Sequence, residues 1–263
     1  MKRKPSWHYV PVLLLLLVGV IPKGATMEFS IDYVDVPGSQ YKWGKTLHLD
    51  GEIHEGDYDR FVSFLKANPV DAMSAFSVIK VNSTGGDVLE TIRMAKAIKE
   101  GFGRVFVDGG TCASSCFFLY VFASTHMAVH DGHLGIHRPY YNPTYFAKLS
   151  PTEAEAKYKE MDTQVRAYLH DLRVPQHLVD TMFSTPSSDI YWLTDSDIVE
   201  LGLTQPWLSE LTTAKCGTGP GPEWVHCVNT FTFPESCKFF VKLFGGIQET
   251  DPRWQAVILK CRQ

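Results

Sequence analysis

Between residues 76 and 123 the chain twice runs from a short β-rich strand, through a glycine-containing turn, into an apolar helical stretch. The first pass is Phe76 to Asn82, then Ser83-Thr84-Gly85-Gly86, then a helix with Val88, Ile92, Ala95 and Ile98 on one face that stops at Gly101. The second is Arg104 to Val107, a Gly-rich turn, and an apolar stretch from Cys116 to Ala123 that reads as a buried helix. Such alternation permits few folds. Parallel strands need a crossover, a helix supplies it, and the helices then cover the sheet. The predicted class is α/β.

The flanking segments extend the pattern. Phe29 to Val36 reads as a strand, and Leu47, Leu49 and Ile53 continue the strand signal up to Gly56-Asp57. Phe61, Phe64 and Leu65 have helical spacing. Downstream, two short strands flanking Asp131-Gly132 predict a hairpin. Ser150-Pro151-Thr152-Glu153 is a capping box with proline at the first helical position, opening a helix that runs to about Leu172. Pro175 restarts a shorter helix, and Thr194 caps another over Asp195 to Leu201, ended by Gly202. Gly217 to Pro222 is a Gly/Pro linker. The expected organisation is an N-terminal segment 1–26, a main domain 27–208 and a Cys-rich tail 209–263.

The N-terminal segment bears on compartment. Lys2, Arg3 and Lys4 precede an unbroken apolar run from Val10 to Ile21. A charged stretch before a short apolar run is the pattern of a secretory signal, and the run is too short for a comfortable membrane span. Lys23 stands where a cut after Ala25 wants a small residue, so a retained anchor is the alternative. Without residues 1–26 the chain carries 21 basic and 29 acidic residues. That balance offers nothing to neutralise phosphates, which argues against nucleic-acid binding.

The six cysteines fit export. Cys112 and Cys116 form one close pair, and Cys216, Cys227, Cys237 and Cys261 lie in the tail. Four cysteines allow three pairings, and the sequence does not choose among them. Spacings of 10, 9 and 23 residues contain no CxxC knuckle of the kind zinc sites use. His126, His130, His133 and His137 are a second metal candidate. On one strand, however, His126 and His130 would stand about 13 Å apart, too far to share an ion. No cofactor is expected.

Three segments carry the chemistry. Gly85-Gly86 leaves backbone N–H groups unobstructed at a helix start, where negative charge binds. Ser114-Ser115 opens the apolar helix, where backbone N–H groups and the helix field stabilise an oxyanion. His137 ends an apolar strand just before Pro139. A serine hydroxyl is a poor nucleophile at neutral pH and needs such a base within hydrogen-bond reach.

In this order, Asn82-Ser-Thr-Gly-Gly86, Ala113-Ser114 and Ile136-His137-Arg-Pro139 resemble the Clp protease proteolytic subunit family, ClpP, of the ClpP/crotonase superfamily. Leu47-His-Leu-Asp-Gly-Glu-Ile-His54 resembles the family's first core strand, and Val199-Glu-Leu-Gly-Leu203 the end of its last core helix. The signal segment and the Cys-Ala-Ser-Ser-Cys116 wording look most like exported ClpP-like proteins. The resemblance covers roughly residues 46–208. It implies a repeated ββα spiral, Ser114 as nucleophile, His137 as general base, and the N–H groups of Gly86 and Ser115 as an oxyanion hole. Ile190 falls nearest the expected place of a triad's third member, and its neighbour Asp189 is the candidate acid, with Asp180 a distant second. Thr84 replaces the family's usual proline, and the segment after His137 lacks its glycines.

The implied function is an exported, ATP-independent peptidase of peptides or unfolded chains, since export separates it from cytosolic unfoldases. By the same resemblance it forms a homo-oligomer. The rival from another class is a non-catalytic binding or assembly protein that keeps the fold. A crotonase-type acyl-CoA enzyme shares the oxyanion logic but would not meet its cofactor outside the cytosol.

Overall fold

The computed structural model describes residues 26–35, 42–76, 78–123, 125–126, 129–202, 205–219, 222–243 and 261. The signal-like run from Val10 to Ile21 lies outside them. In chain order the elements are β1 (Glu28–Asp35), β2 (Lys42–Asp50), α1 (Asp57–Ala67), α2 (Pro69–Ala75), β3 (Ile79–Asn82), α3 (Val88–Glu100), β4 (Arg104–Phe106), β5 (Thr111–Ala113) and α4 (Cys116–Phe122). They continue with β6 (Thr125–His126), β7 (His133–Ile136), α5 (Pro143–Phe146), α6 (Pro151–Asp171), α7 (Gln176–Ser184), β8 (Tyr191–Trp192), α8 (Asp195–Leu201), α9 (Pro206–Cys216) and α10 (Pro222–Leu243).

The larger sheet has the order β1-β2-β3-β4-β6. Only β1 is antiparallel to its neighbour. The smaller sheet has the order β5-β7-β8, with β5 and β7 parallel and β8 antiparallel. Single parallel bridges, Ile53 to Gly86, Ser83 to Cys112 and Asp108 to His130, continue the pairing beyond the strands of the larger sheet. Each unit therefore lays one strand in the larger sheet, turns into a second layer, and in the first three units leaves through a helix. This is the repeated ββα spiral that the sequence predicts.

Burial follows the periodicities. Leu47 and Leu49 of β2, Ile79 and Val81 of β3 and Val105 of β4 are fully buried, two apart along their strands as a one-sided core requires. All seven residues of α4 are buried, which is why this stretch shows no polar face. The capping box of α6, Ser150 with Glu153, forms as its sequence predicts, and Thr194 caps α8 as expected, its box completed by Asp197.

The predicted hairpin at Asp131-Gly132 is not one. β6 pairs with β4 in the larger sheet, whereas β7 pairs with β5 and β8 in the smaller one. Asp131 does turn the chain, at φ 48°. Gly132 is small for another reason: a Cβ there would lie 2.8 Å from Val107 Cγ1 and 2.9 Å from the Gly110 carbonyl oxygen. The Asp-Gly pair serves a crossing between layers, with glycine admitting the neighbouring loop.

The tail docks on the main domain. α9 runs across the expected boundary at 208/209, and Leu208 is buried. α10 buries Phe239 and Phe240, which pack on Phe76, while the Ser236 hydroxyl donates to the Gly101 carbonyl at 2.9 Å. Disulfides join Cys216 to Cys227 and Cys237 to Cys261, choosing one of the three pairings. No helix among the described residues is long and apolar enough to cross a membrane.

Candidate active site

Ser114 occupies the single residue step between β5 and the Ser115 that caps α4. Its φ is 57°, in the left-handed region, where an L side chain costs about 1–2 kcal/mol. Three constraints hold it there. Its N–H donates to the Gly135 carbonyl at 3.0 Å, tying it to β7. The Cys112–Cys116 disulfide closes the turn from strand to helix around it. On the remaining side Gly85 packs so closely that a Cβ there would lie 2.6 Å from Ser114 Cβ. The sharp turn leaves the side chain half-buried, facing a cleft of about 450 Å³ that Gly86, Tyr140 and Asn142 also line. No hydrogen bond to its hydroxyl forms among the described residues.

The Gly85-Gly86 loop is equally fixed. The Ile53 N–H donates to the Gly85 carbonyl at 2.8 Å, and the Asp87 N–H to the Ile53 carbonyl at 2.8 Å. Gly86, at φ 139°, has no room for a side chain, because a Cβ would meet the Ile53 carbonyl oxygen at 2.0 Å. Its own N–H meets no protein acceptor among the described residues, and neither does that of Ser115. The two donors that the resemblance implies are thus left without a protein acceptor among the described residues.

The two serines differ. Ser115 is 1% exposed, and its hydroxyl lies 3.0 Å from that of Thr91. Thr91 in turn donates to the Asp87 carbonyl at 2.6 Å. A substrate can reach Ser114 but not the Ser115 side chain. Thr91 escaped the sequence reading, although its signal was there: a hydroxyl on the buried face that Val88, Ile92, Ala95 and Ile98 define.

His137 follows β7 directly, so it and Ser114 extend from the same ends of two paired parallel strands. It is 8% exposed. Its Nδ1 lies 2.9 Å from the Arg138 carbonyl oxygen. A carbonyl only accepts, so Nδ1 carries the proton and Nε2 keeps a lone pair. Nε2 has no hydrogen-bond partner among the described residues, Ser114 included. The exposed Tyr140 ring stands 5.9 Å away, centre to centre.

Asp189 is not brought to this histidine. It is exposed, and its carboxylate forms no hydrogen bond or ion pair among the described residues. β8 begins two residues later and pairs Tyr191 with Ile136. Asp180 lies on α7, accepting from Gln176 at 3.0 Å and facing Arg166 of α6 at 3.5 Å. The orienting acceptor is the Arg138 carbonyl instead.

Of the other clustered histidines, His130 and His133 have separate partners, and the His126 side chain lies outside the described residues. His130 pairs with Asp108 at 3.1 Å, and His133 packs on Trp192 with ring centres 5.8 Å apart. The bond from Lys80, and next that from His130, holds Asp108 below the usual carboxylate range. No group of metal-ligating residues converges among the described residues.

No family model matches the chain. No curated protein matches it. Among solved structures it is similar to a serine-to-alanine mutant of the 1510-N membrane-bound stomatin-specific protease, at 15% identity over 65% of this chain and 83% of that one, with a TM-score of 0.41. A lysine-to-alanine mutant of that protease with a substrate peptide gives 14% identity, 62% and 73% coverage, and a TM-score of 0.37. A protein classed as an enoyl-CoA hydratase from Streptomyces coelicolor A3(2) gives 12%, 88% and 84%, and 0.34. Likenesses this distant carry no weight for activity, and the fold rests on the strand order itself. That order, with Gly86, Ser114 and His137 on successive units of one ββα spiral, is what the resemblance to the ClpP/crotonase superfamily implies.

Proposed function

We propose that this protein is an exported serine hydrolase, an ATP-independent peptidase acting on peptides or unfolded chains. The observation that carries the reading is the Ser114 turn: an unpartnered hydroxyl facing a cleft, held in a strained conformation, with two N–H donors that have no protein acceptor among the described residues. Strain at such a position is kept where the surroundings over-determine it, and function is the usual reason. Ser114 Oγ attacks the scissile carbonyl carbon while His137 Nε2 takes its proton. The N–H groups of Gly86 and Ser115 hold the resulting oxyanion. Collapse expels the amine, which leaves with the proton from His137. Water then cleaves the acyl ester by the same steps in reverse order, restoring the serine hydroxyl. Catalytic hydrogen bonds tighten when substrate binds, so a Ser114–His137 bond belongs to the substrate complex. Three disulfides, which persist in oxidising compartments, support export together with the N-terminal signal pattern.

One observation favours a non-catalytic binding role: no carboxylate stands behind His137 among the described residues. Covalent labelling by a fluorophosphonate separates the two readings. Labelling of the wild type that Ser114→Ala abolishes supports the hydrolase. A folded wild type that never labels supports the binding protein.

A further inference from the structure

We propose that Thr91 is a positioning residue of this site, the side chain that fixes its two oxyanion donors relative to each other. The inference rests on the reading of Ser114 as nucleophile. The donors come from separate units of the spiral. Gly86 belongs to the turn before α3, and Ser115 to the turn before α4. The backbone bonds described above fix the first turn to Ile53 and the second to Gly135. On the strand side the turns are already joined, the Ser83 N–H donating to the Thr111 carbonyl at 2.6 Å and the Ala113 N–H to the Ser83 carbonyl at 3.0 Å; beyond Ser83, toward the two donors, no backbone bond joins them among the described residues.

Thr91 adds a side-chain connection there. It is 0% exposed in the first turns of α3. Its single hydroxyl proton goes to the Asp87 carbonyl oxygen, which can only accept. The 3.0 Å contact with Ser115 is then a bond in which Ser115 donates to Thr91 Oγ1. The result is a buried relay from the Ser115 hydroxyl, through Thr91, to the carbonyl of the residue after Gly86. One end lies on the residue that presents the second donor, and the other lies next to the first.

An oxyanion hole works because its donors are already placed when charge develops, and loss of one donor costs a hundredfold or more in rate. A shift of donor spacing erodes the same advantage, whereas binding of the uncharged substrate barely senses it. Thr91 therefore acts on the chemical step and not on binding. Valine matches threonine in shape but cannot carry the relay. Serine can.

The experiment is saturation kinetics of fluorophosphonate labelling on the full protein, giving a maximal rate and a half-saturation concentration for each variant, with melting temperatures measured in parallel. Thr91→Val is expected to lower the maximal rate about tenfold or more with half-saturation changed less than twofold. Thr91→Ser is expected to restore most of the rate. Ser115→Ala, which removes the other end of the relay without touching α3, is expected to lower the rate in the same direction. Should Thr91→Val not fold, the Ser115→Ala rate together with Thr91→Ser decides alone. Rates within twofold of wild type in folded Thr91→Val, or in Ser115→Ala, overturn the proposal while Ser114 remains the nucleophile. A slow Thr91→Val whose loss appears only in half-saturation, or that serine does not rescue, also overturns it. A wild type that never labels overturns the nucleophile reading itself, and this inference with it.

Discussion

Gly85 and Ser114 are in mutual contact across the site: a Cβ on Gly85 would stand 2.6 Å from Ser114 Cβ, 2.7 Å from the Ala113 carbonyl oxygen and 2.9 Å from the Ser115 nitrogen. Two of these neighbours are backbone and cannot swing away. Gly85 also sits at φ 98°, a conformation L residues rarely adopt. Gly85→Ala is therefore expected to disrupt the Ser114 turn and lower labelling by at least about a hundredfold, the scale of a lost oxyanion donor. Gly56→Ala is the control, since Gly56 has φ 90° but nothing within 4 Å of a Cβ. It should cost stability through strain alone, about 1–2 kcal/mol, and leave labelling intact. Equal labelling of the two variants would show that the contact is irrelevant to the site.

The disulfide around Ser114 offers a second test. Cys112 ends up in β5 and Cys116 begins α4, so the bond spans a turn and not a continuous helix. Both residues are 0% exposed. Replacing both with alanine is expected to loosen the turn, lowering both the melting temperature and the labelling rate. A five-residue loop constrains little of the unfolded chain, so the stabilisation should fall at or below the low end of the ~2–4 kcal/mol usual for disulfides. The fractional loss of labelling should exceed what that stability change explains. An unchanged rate and melting temperature in the double variant would remove the disulfide from any part in the site.

Much of this was legible in the sequence, and the exceptions share a cause. The strand–turn–helix units, the Ser150–Glu153 capping box, the Thr194 cap and the placement of Ser114 between strand and helix follow from local signals. Asp131-Gly132 misled because its glycine answers to Val107 and Gly110, residues more than 20 positions away in the chain. Asp189 misled because one or two residues of register decide whether a side chain meets a neighbouring strand. Thr91 shows in the sequence only as a hydroxyl on a buried helix face, because the partner that gives it meaning, Ser115, comes from another unit.

Asp197 links stability to pH. Burial pushes its carboxyl up, but hydrogen bonds from the Thr194 backbone and hydroxyl, from His177 and from Tyr191 outweigh this and hold it below the usual carboxylate range. Tyr191 belongs to β8, which pairs with the strand leading to His137. A carboxyl depressed in the folded state contributes stability that is fully present above its unfolded pKa, about 3.9, and is lost as pH falls through the lower folded value. Asp197→Asn is expected to melt at lower temperature than wild type at pH 7, with the gap closing as the solution is acidified below pH 4. A gap that stays constant down to pH 2 would show that ionisation of Asp197 contributes nothing.

The last prediction concerns what stands behind His137. In a triad the carboxylate fixes the imidazole tautomer and stabilises the imidazolium, and removing it costs about 10⁴-fold. Here the Arg138 carbonyl, 2.9 Å from Nδ1, fixes the tautomer as a neutral acceptor. It supplies no full negative charge, so the enzyme is expected to be slow by the standard of complete triads. Because Asp189 is exposed and unbonded, Asp189→Asn should change the labelling rate less than about threefold, far short of a triad loss. His137→Ala should silence labelling; labelling that survives would point instead to His54, which lines the same cleft as Ser114. Asp180→Asn should behave like Asp189→Asn, since that carboxylate is committed to Gln176 and Arg166. A thousandfold loss in Asp189→Asn with the fold intact would mean that the chain around residue 189 closes onto His137 when substrate binds, and would restore the triad that the sequence first implied.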